Sequence, residues 1–226
     1  MISLKVCGMK YPDNIREVAS LQPDYLGFIF HEGSARYFEE EIPGLRDGIK
    51  TVGVFVNASV EKVLEKVSKY ELKAVQLHGD ESPEYCTELK EKLEQGNRPV
   101  ELLKVFSMDE TFDMEELKAY EGKADYFLFD ARGKQRGGNG VPFNWDLLLE
   151  YDSSTPFFLS GGIGPEDSQK IKNFIDQLHQ KGKAGLLRGL DVNSCFESEP
   201  GRKKPEDLRA FQQELQQFLN KKNSNI

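Results

Sequence analysis

The sequence predicts an α/β fold, a (β/α)8 or TIM barrel in which a parallel eight-stranded barrel is wrapped by outer helices. Three observations predict it. Eight short stretches rich in Val, Ile, Phe or Leu follow one another along the chain. They begin at intervals of roughly 22 to 31 residues, room for a strand, a helix and two loops. Most are continuously apolar rather than alternating, as expected of parallel strands covered on both faces.

In order, the predicted strands are Ile2–Cys7, Tyr25–Phe30, Thr51–Val56, Lys73–His78, Val100–Phe106, Asp125–Phe129, Pro156–Ser160 and Gly185–Leu190. Helical periodicity fills the gaps. Val60, Val63, Leu64 and Val67 recur at i, i+3, i+4 and i+7, as do Ile171, Phe174, Ile175 and Leu178. Cys86, Leu89 and Leu93 mark another stripe, after the start signal Asp80-Glu81-Ser82-Pro83. Leu208, Phe211, Leu215, Phe218 and Leu219 give the stripe of the last helix. Two helices are poorly marked, one around 40–48, broken by Pro43-Gly44, and one around Trp145–Tyr151. An open doubly wound sheet is the competing fold, but no Gly-x-Gly-x-x-Gly follows an early strand. One domain is expected over 1–219, with 220–226 as a frayed polar tail.

Bulk properties narrow the function. No run approaches the length of a membrane span, and Met1–Val6 is too short and too alternating for a signal peptide. A net charge of −8 argues against a nucleic-acid partner but leaves room for a small anionic substrate held locally. Cys7, Cys86 and Cys195 are odd in number and widely spaced, which fits a reducing cytoplasm better than a disulfide framework.

In a barrel the chemistry lies at the carboxyl ends of the strands. Gly161-Gly162 after strand seven and the Pro165-Glu166-Asp167 helix start read as an anion site, to which the segment after strand eight adds amides. A Gly-Gly pair that merely turns the chain is the plainer reading. Cys7 and Asp130 are the reactive candidates: a thiol lowered toward neutrality can act as a base, and a carboxylic acid kept protonated can act as an acid. Taken alone, a cysteine at a strand end is more often a small core residue and an aspartate more often a loop cap. His78 closes strand four and suits a minor polar contact at most, since no ligand-spaced partner makes it a metal site. His31 reads as a loop residue, His179 as solvent-facing and Cys86 as inert core. The segment 131–144, with Arg132, Lys134 and Arg136, is long for a βα loop and is expected to be a mobile lid.

Seven segments in order give the sequence a family likeness: Lys5-Val6-Cys7-Gly8-Met9; Gly27–Phe30 with Ser34-Ala35-Arg36-Tyr37; Val52–Asn57; Val75–Glu81; Phe129-Asp130 with Gly137-Gly138-Asn139-Gly140; Leu159–Ile163; and Leu190–Ser194 with Glu197 and Pro200-Gly201. Together they resemble the phosphoribosylanthranilate isomerases over nearly the whole chain. The resemblance implies a tryptophan-pathway isomerase that carries out an Amadori rearrangement of a phosphosugar with no metal or organic cofactor, as a monomer or homodimer. It implies Asp130 as general acid, Cys7 as general base, Arg36 on the anthranilate carboxylate, and the phosphate on amides of Gly161, Gly162, Asp191 and Asn193. Four positions depart from the family's commonest pattern: Asn193 stands for a serine, Cys195 for a glycine, Asn139 for Ser or Thr, and Lys204 for an acidic residue. Cys195 is expected to tighten a loop that relies on glycine's freedom. The competing functions are another phosphosugar barrel enzyme, using paired aspartates or a metal, and a barrel that only binds an anionic phosphosugar. The missing aspartate at the end of strand one counts against the former, and the retained Cys7 and Asp130 against the latter.

Overall fold

A computed structural model describes residues 2–96, 99–131 and 144–223. Eight parallel strands close a barrel in sequential order: β1 Ser3–Val6, β2 Tyr25–Ile29, β3 Lys50–Phe55, β4 Ala74–Leu77, β5 Glu101–Met108, β6 Tyr126–Ala131, β7 Phe157–Leu159 and β8 Leu187–Val192. Every strand falls on a predicted stretch, with ends shifted by a few residues. Closure is made by β8 on β1, where Lys5 stands opposite Asp191.

The strands alternate even though their sequences look uniform. Leu4, Val6, Leu26, Phe28, Val75, Leu77, Phe127, Phe129, Leu190 and Val192 pack outward with the helix residues Ile15, Val18, Val63, Leu89 and Ile171. Tyr25, Val52, Ala74, Leu103, Val105, Leu128 and Phe158 form a second cluster inside the barrel. Both faces are apolar at this level, so the period of two is hidden in the sequence. It reappears near the mouth: Lys5 and Cys7 share one face of β1, Gln76 and His78 one face of β4 and its end.

Around the barrel lie five α-helices among the described residues: α1 Pro12–Ala19, α2 Val60–Lys69, α3 Pro83–Glu94, α4 Ser168–Gln180 and α5 Pro205–Asn223. Ser59 and Ser82 cap α2 and α3 by accepting from the amides of Lys62 and Tyr85. Among the described residues, regular helix is missing from three of the expected places. The segment after β2 has none, since Pro43 lacks a donor and Gly44 and Gly48 favour coil. Single 3-10 stretches, Met114–Tyr120 and Trp145–Leu149, take the places after β5 and β6. The expected tail boundary at 219 is also corrected. Helix α5 runs to Asn223, and Lys222 pairs with Asp176 of α4, so the last turn has a tertiary anchor. The lid predicted in 131–144 lies, from 132 to 143, outside the described residues.

A small antiparallel hairpin, β9 Glu197–Glu199 and β10 Arg202–Lys203, sits between β8 and α5. Gly201 turns it at φ +89°, and the backbone N–H and C=O of Lys203 are both satisfied by the Asn14 side chain of α1. This hairpin bears on the site. No helix among the described residues is long and apolar enough to cross a membrane.

Candidate active site

At the carboxyl ends of the strands a cavity is lined by Cys7, His78, Asp130, Gly161, Gly162 and Asn193, with Gln76 and Asp191 on its floor. The structure therefore brings Cys7 and Asp130 to one space, with the glycine pair on its rim. Arg36 stands beside it, half-buried, and is already engaged: its Nε and Nη2 donate to the Glu197 carboxylate at 2.6–3.1 Å. Gly8, at φ +72°, lies between Arg36 and Asn193. A Cβ there would come within 2.7 Å of each, so only glycine lets both approach.

The floor under Cys7 is charged. Lys5 is fully buried, and its Nζ donates to Asp191 Oδ1 at 2.8 Å. Burial pulls the Lys5 ammonium down, but Asp191 and Cys7 together raise it above the usual lysine value. Burial pushes the Cys7 thiol up, while Lys5 draws it down and Asp191 pushes it up again. The thiol is thus the resting form at neutral pH, with a cation beside it for the thiolate. Asp191, whose backbone amide is expected at the phosphate rim, is a β8 residue whose carboxylate is turned onto Lys5.

Around Asp130 the setting is more open. The Asp130 carboxylate accepts from the Ala131 amide at 3.1 Å and lies 3.5 Å from His78 Nε2. The Gln76 amide nitrogen meets His78 Nδ1 at 3.1 Å, which leaves the ring proton on Nε2, facing Asp130. The other end of the Gln76 amide, Oε1, is buried without a partner among the described residues. The strand ends next to His78 are stapled by Glu81, which accepts from the amides of Asn57 and Gly79 and from buried Lys104 at 2.8–3.1 Å.

On the cavity rim Gly161 and Gly162 have φ of +93° and +75°, conformations that glycine alone takes without strain. A Cβ on Gly161 would come within 2.5 Å of the Ala131 amide nitrogen, so the glycine also lets β7 and β6 ends approach. The Gly164 amide is not open to a ligand, since Asp167 Oδ2 accepts from it at 2.8 Å. Cys195 departs from expectation. It has no left-handed backbone, and its thiol donates to Gly162 O at 3.4 Å, linking the two rim loops without strain. Cys86 is buried in α3 with its thiol pushed up to about 11 by desolvation, as an inert core cysteine should be. His179 is exposed on α4; His31, read as a plain loop residue, lines the cavity edge. Among the described residues no group of three His, Cys, Asp or Glu is placed to hold a metal ion.

Sequence reasoning passed over Lys5, Gln76 and Lys203. The first two sit two residues before Cys7 and His78, and the strand period alone would have put each on its neighbour's face. Lys203 carries no such signal, since it reaches the site only through the hairpin.

The family model for N-(5'-phosphoribosyl)anthranilate isomerase matches residues 4–214. This chain belongs to that family. A relative from Parabacteroides distasonis bearing the family's name is 44% identical over 219 residues, covering 94% of this chain and 92% of its own. One from Phocaeicola vulgatus is 38% identical over 96% of this chain and 98% of its own. The isomerase structure from Thermotoga maritima superposes with a TM-score of 0.80 at 30% identity, covering 96% of this chain and all of that one. Another member, solved in complex with reduced 1-(o-carboxyphenylamino)-1-deoxyribulose 5-phosphate, gives a TM-score of 0.74 at 27% identity, over 96% of this chain and all of its own. The chain is accordingly an isomerase of phosphoribosylanthranilate, acting in tryptophan biosynthesis.

Proposed function

We propose that the cavity carries out the family's Amadori rearrangement with Asp130 as general acid and Cys7 as general base. The observation that carries this reading is that both side chains line one cavity, from β6 and β1, with an anion-suited rim beside them. Asp130 delivers a proton to the furanose ring oxygen, the C1′–O bond breaks, and the anthranilate nitrogen becomes a Schiff base cation. The Cys7 thiolate then takes the C2′ proton, and the electron pair neutralises the cation to give an enolamine. Tautomerisation moves a proton from the enol oxygen to C1′ and yields 1-(o-carboxyphenylamino)-1-deoxyribulose 5-phosphate. Lys5 supports the thiolate, and His78 Nε2–H stands ready to accompany the change of charge on Asp130.

Arg36 takes the anthranilate carboxylate, for which a guanidinium fork is suited. The phosphate rests on amides of Gly161, Gly162, Asp191 and Asn193, and a complex of a relative with a phosphorylated, carboxylated product analogue supports a substrate with those two anionic ends. The substrate is a small phosphosugar, with neither nucleic acid nor membrane as partner. The enzyme works in the cytoplasm as a monomer or homodimer, in keeping with three free cysteines.

The test is turnover of freshly made phosphoribosylanthranilate, followed by loss of anthranilate-type fluorescence. Cys7→Ser and Asp130→Asn should each lower kcat by about 10²- to 10⁴-fold while leaving the circular dichroism spectrum unchanged. Near-wild-type turnover by either variant would remove its residue from the mechanism.

A further inference from the structure

Beside Cys7 the structure buries three charges in a row. Arg36 is bound through Nε and Nη2 by Glu197, and on its other side the same carboxylate is paired with the Lys203 ammonium. Lys203 and Glu197 are almost entirely excluded from solvent, with side chains 0% and 5% exposed. Lys203 also donates to Asn193 Oδ1 at 2.7 Å. An arginine matched one-to-one by a buried carboxylate presents a neutral pair to an incoming anion. In this row the charges are +1, −1 and +1, and one positive charge is left over.

We propose that Lys203 is a specificity-determining positioning residue. Its ammonium cancels Glu197, so that Glu197 can fix the angle of Arg36 without taking away the charge that selects a carboxylated aromatic amine. Glu197 supplies geometry and Lys203 supplies balance. Burial makes this effective, because uncompensated charge is felt strongly where water is excluded. The position of Lys203 is set by a local turn, across which it stands opposite Glu197. The β9–β10 hairpin delivers it, and the Asn14 side chain holds its backbone.

The inference rests on Arg36 being the carboxylate's partner, and the experiment separates the two claims. Binding of reduced 1-(o-carboxyphenylamino)-1-deoxyribulose 5-phosphate and of the same compound lacking the carboxylate is measured by calorimetry at pH 7. Wild type should prefer the carboxylated compound by about 100-fold, the worth of one charge-assisted contact. Arg36→Ala should abolish the preference, and if it does not, the assignment of Arg36 itself fails. Given that result, Lys203→Met, with net charge zero, should lose about tenfold of the preference. The double variant Glu197→Gln/Lys203→Met returns the net charge to +1 and should recover most of it. An unchanged ratio in Lys203→Met, or a double variant as poor as the single one, would overturn the proposal. Should Lys203→Met not fold, Glu197→Gln alone decides: with net charge +2 it must keep or increase the preference, and a loss sinks the idea.

Discussion

The two sides of the barrel mouth are built on different principles. On the β1/β8 side, Cys7 sits over buried Lys5 and Asp191 and beside the Arg36–Glu197–Lys203 row, and none of these side chains is more than 12% exposed. On the β4/β6 side, His78 and Asp130 are 18% and 21% exposed and share one long polar contact. The proposed base sits in a desolvated cage of fixed charges, where burial raises the thiol and Lys5 stands beside it to support the thiolate. The proposed acid must exchange its proton with water once per turnover, and a half-open setting permits that.

The contrast is most directly broken by deleting one charge from each side. Lys5→Met leaves the Asp191 carboxylate buried and alone and should cost about 3–5 kcal/mol of stability in urea unfolding. His78→Phe, at a partly open position, should cost no more than about 1 kcal/mol. Equal losses would mean that the two sides do not differ as described.

Thiol reactivity sharpens the same point. In a Cys86→Ser/Cys195→Ser background, the pH midpoint of Cys7 alkylation should move up by about one unit or more in Lys5→Met. It should move down in Asp191→Asn, because that change removes an anion that opposes the thiolate. Shifts of the same sign in both variants would deny that Lys5 and Asp191 act on Cys7 as charges.

The pH profile should divide in two. Burial raises the Cys7 thiol above its ordinary value, so the thiolate is scarce at neutral pH and kcat should climb as pH rises. Burial draws Lys203 down to about 8 against the pull of Glu197, with Cys7 and Arg36 also facing it. Above that pH its charge is lost, and KM for the carboxylated substrate should rise. A kcat that falls from pH 7 to 9 would count against Cys7 as the base.

Smaller effects belong to the open side and the rim. Gln76→Leu removes the donor that fixes the His78 ring and should lower kcat about tenfold, with little change in stability because Gln76 Oε1 is already unpartnered. Cys195→Gly should alter stability by less than about 0.5 kcal/mol, since that thiol is exposed and its backbone unstrained. A thermal melt checks each.

The barrel was legible because its cause is local and repeated. Eight apolar strands with helical stripes between them leave few alternatives, although the poorly marked helix expected around 40–48 does not form. Cys7, Asp130 and Gly161-Gly162 were found as strand-end residues, since strand ends and the active-site face of a barrel coincide. The partners that fix their ionisation were not found. For Asp191 the sequence gives a position on β8 but not the lysine 186 residues away that its carboxylate meets.

By itself, then, the sequence determined the order of elements, the face of the barrel that carries chemistry and the candidate residues at its strand ends. These follow from periodicity and from residue type, which are properties of neighbours in the chain. Only the tertiary structure decided that Lys5 lies against Asp191 and that Arg36 meets Glu197, which the hairpin pairs with Lys203. Electrostatic balance depends on distance and burial, and closing the barrel sets both between residues that no local pattern connects.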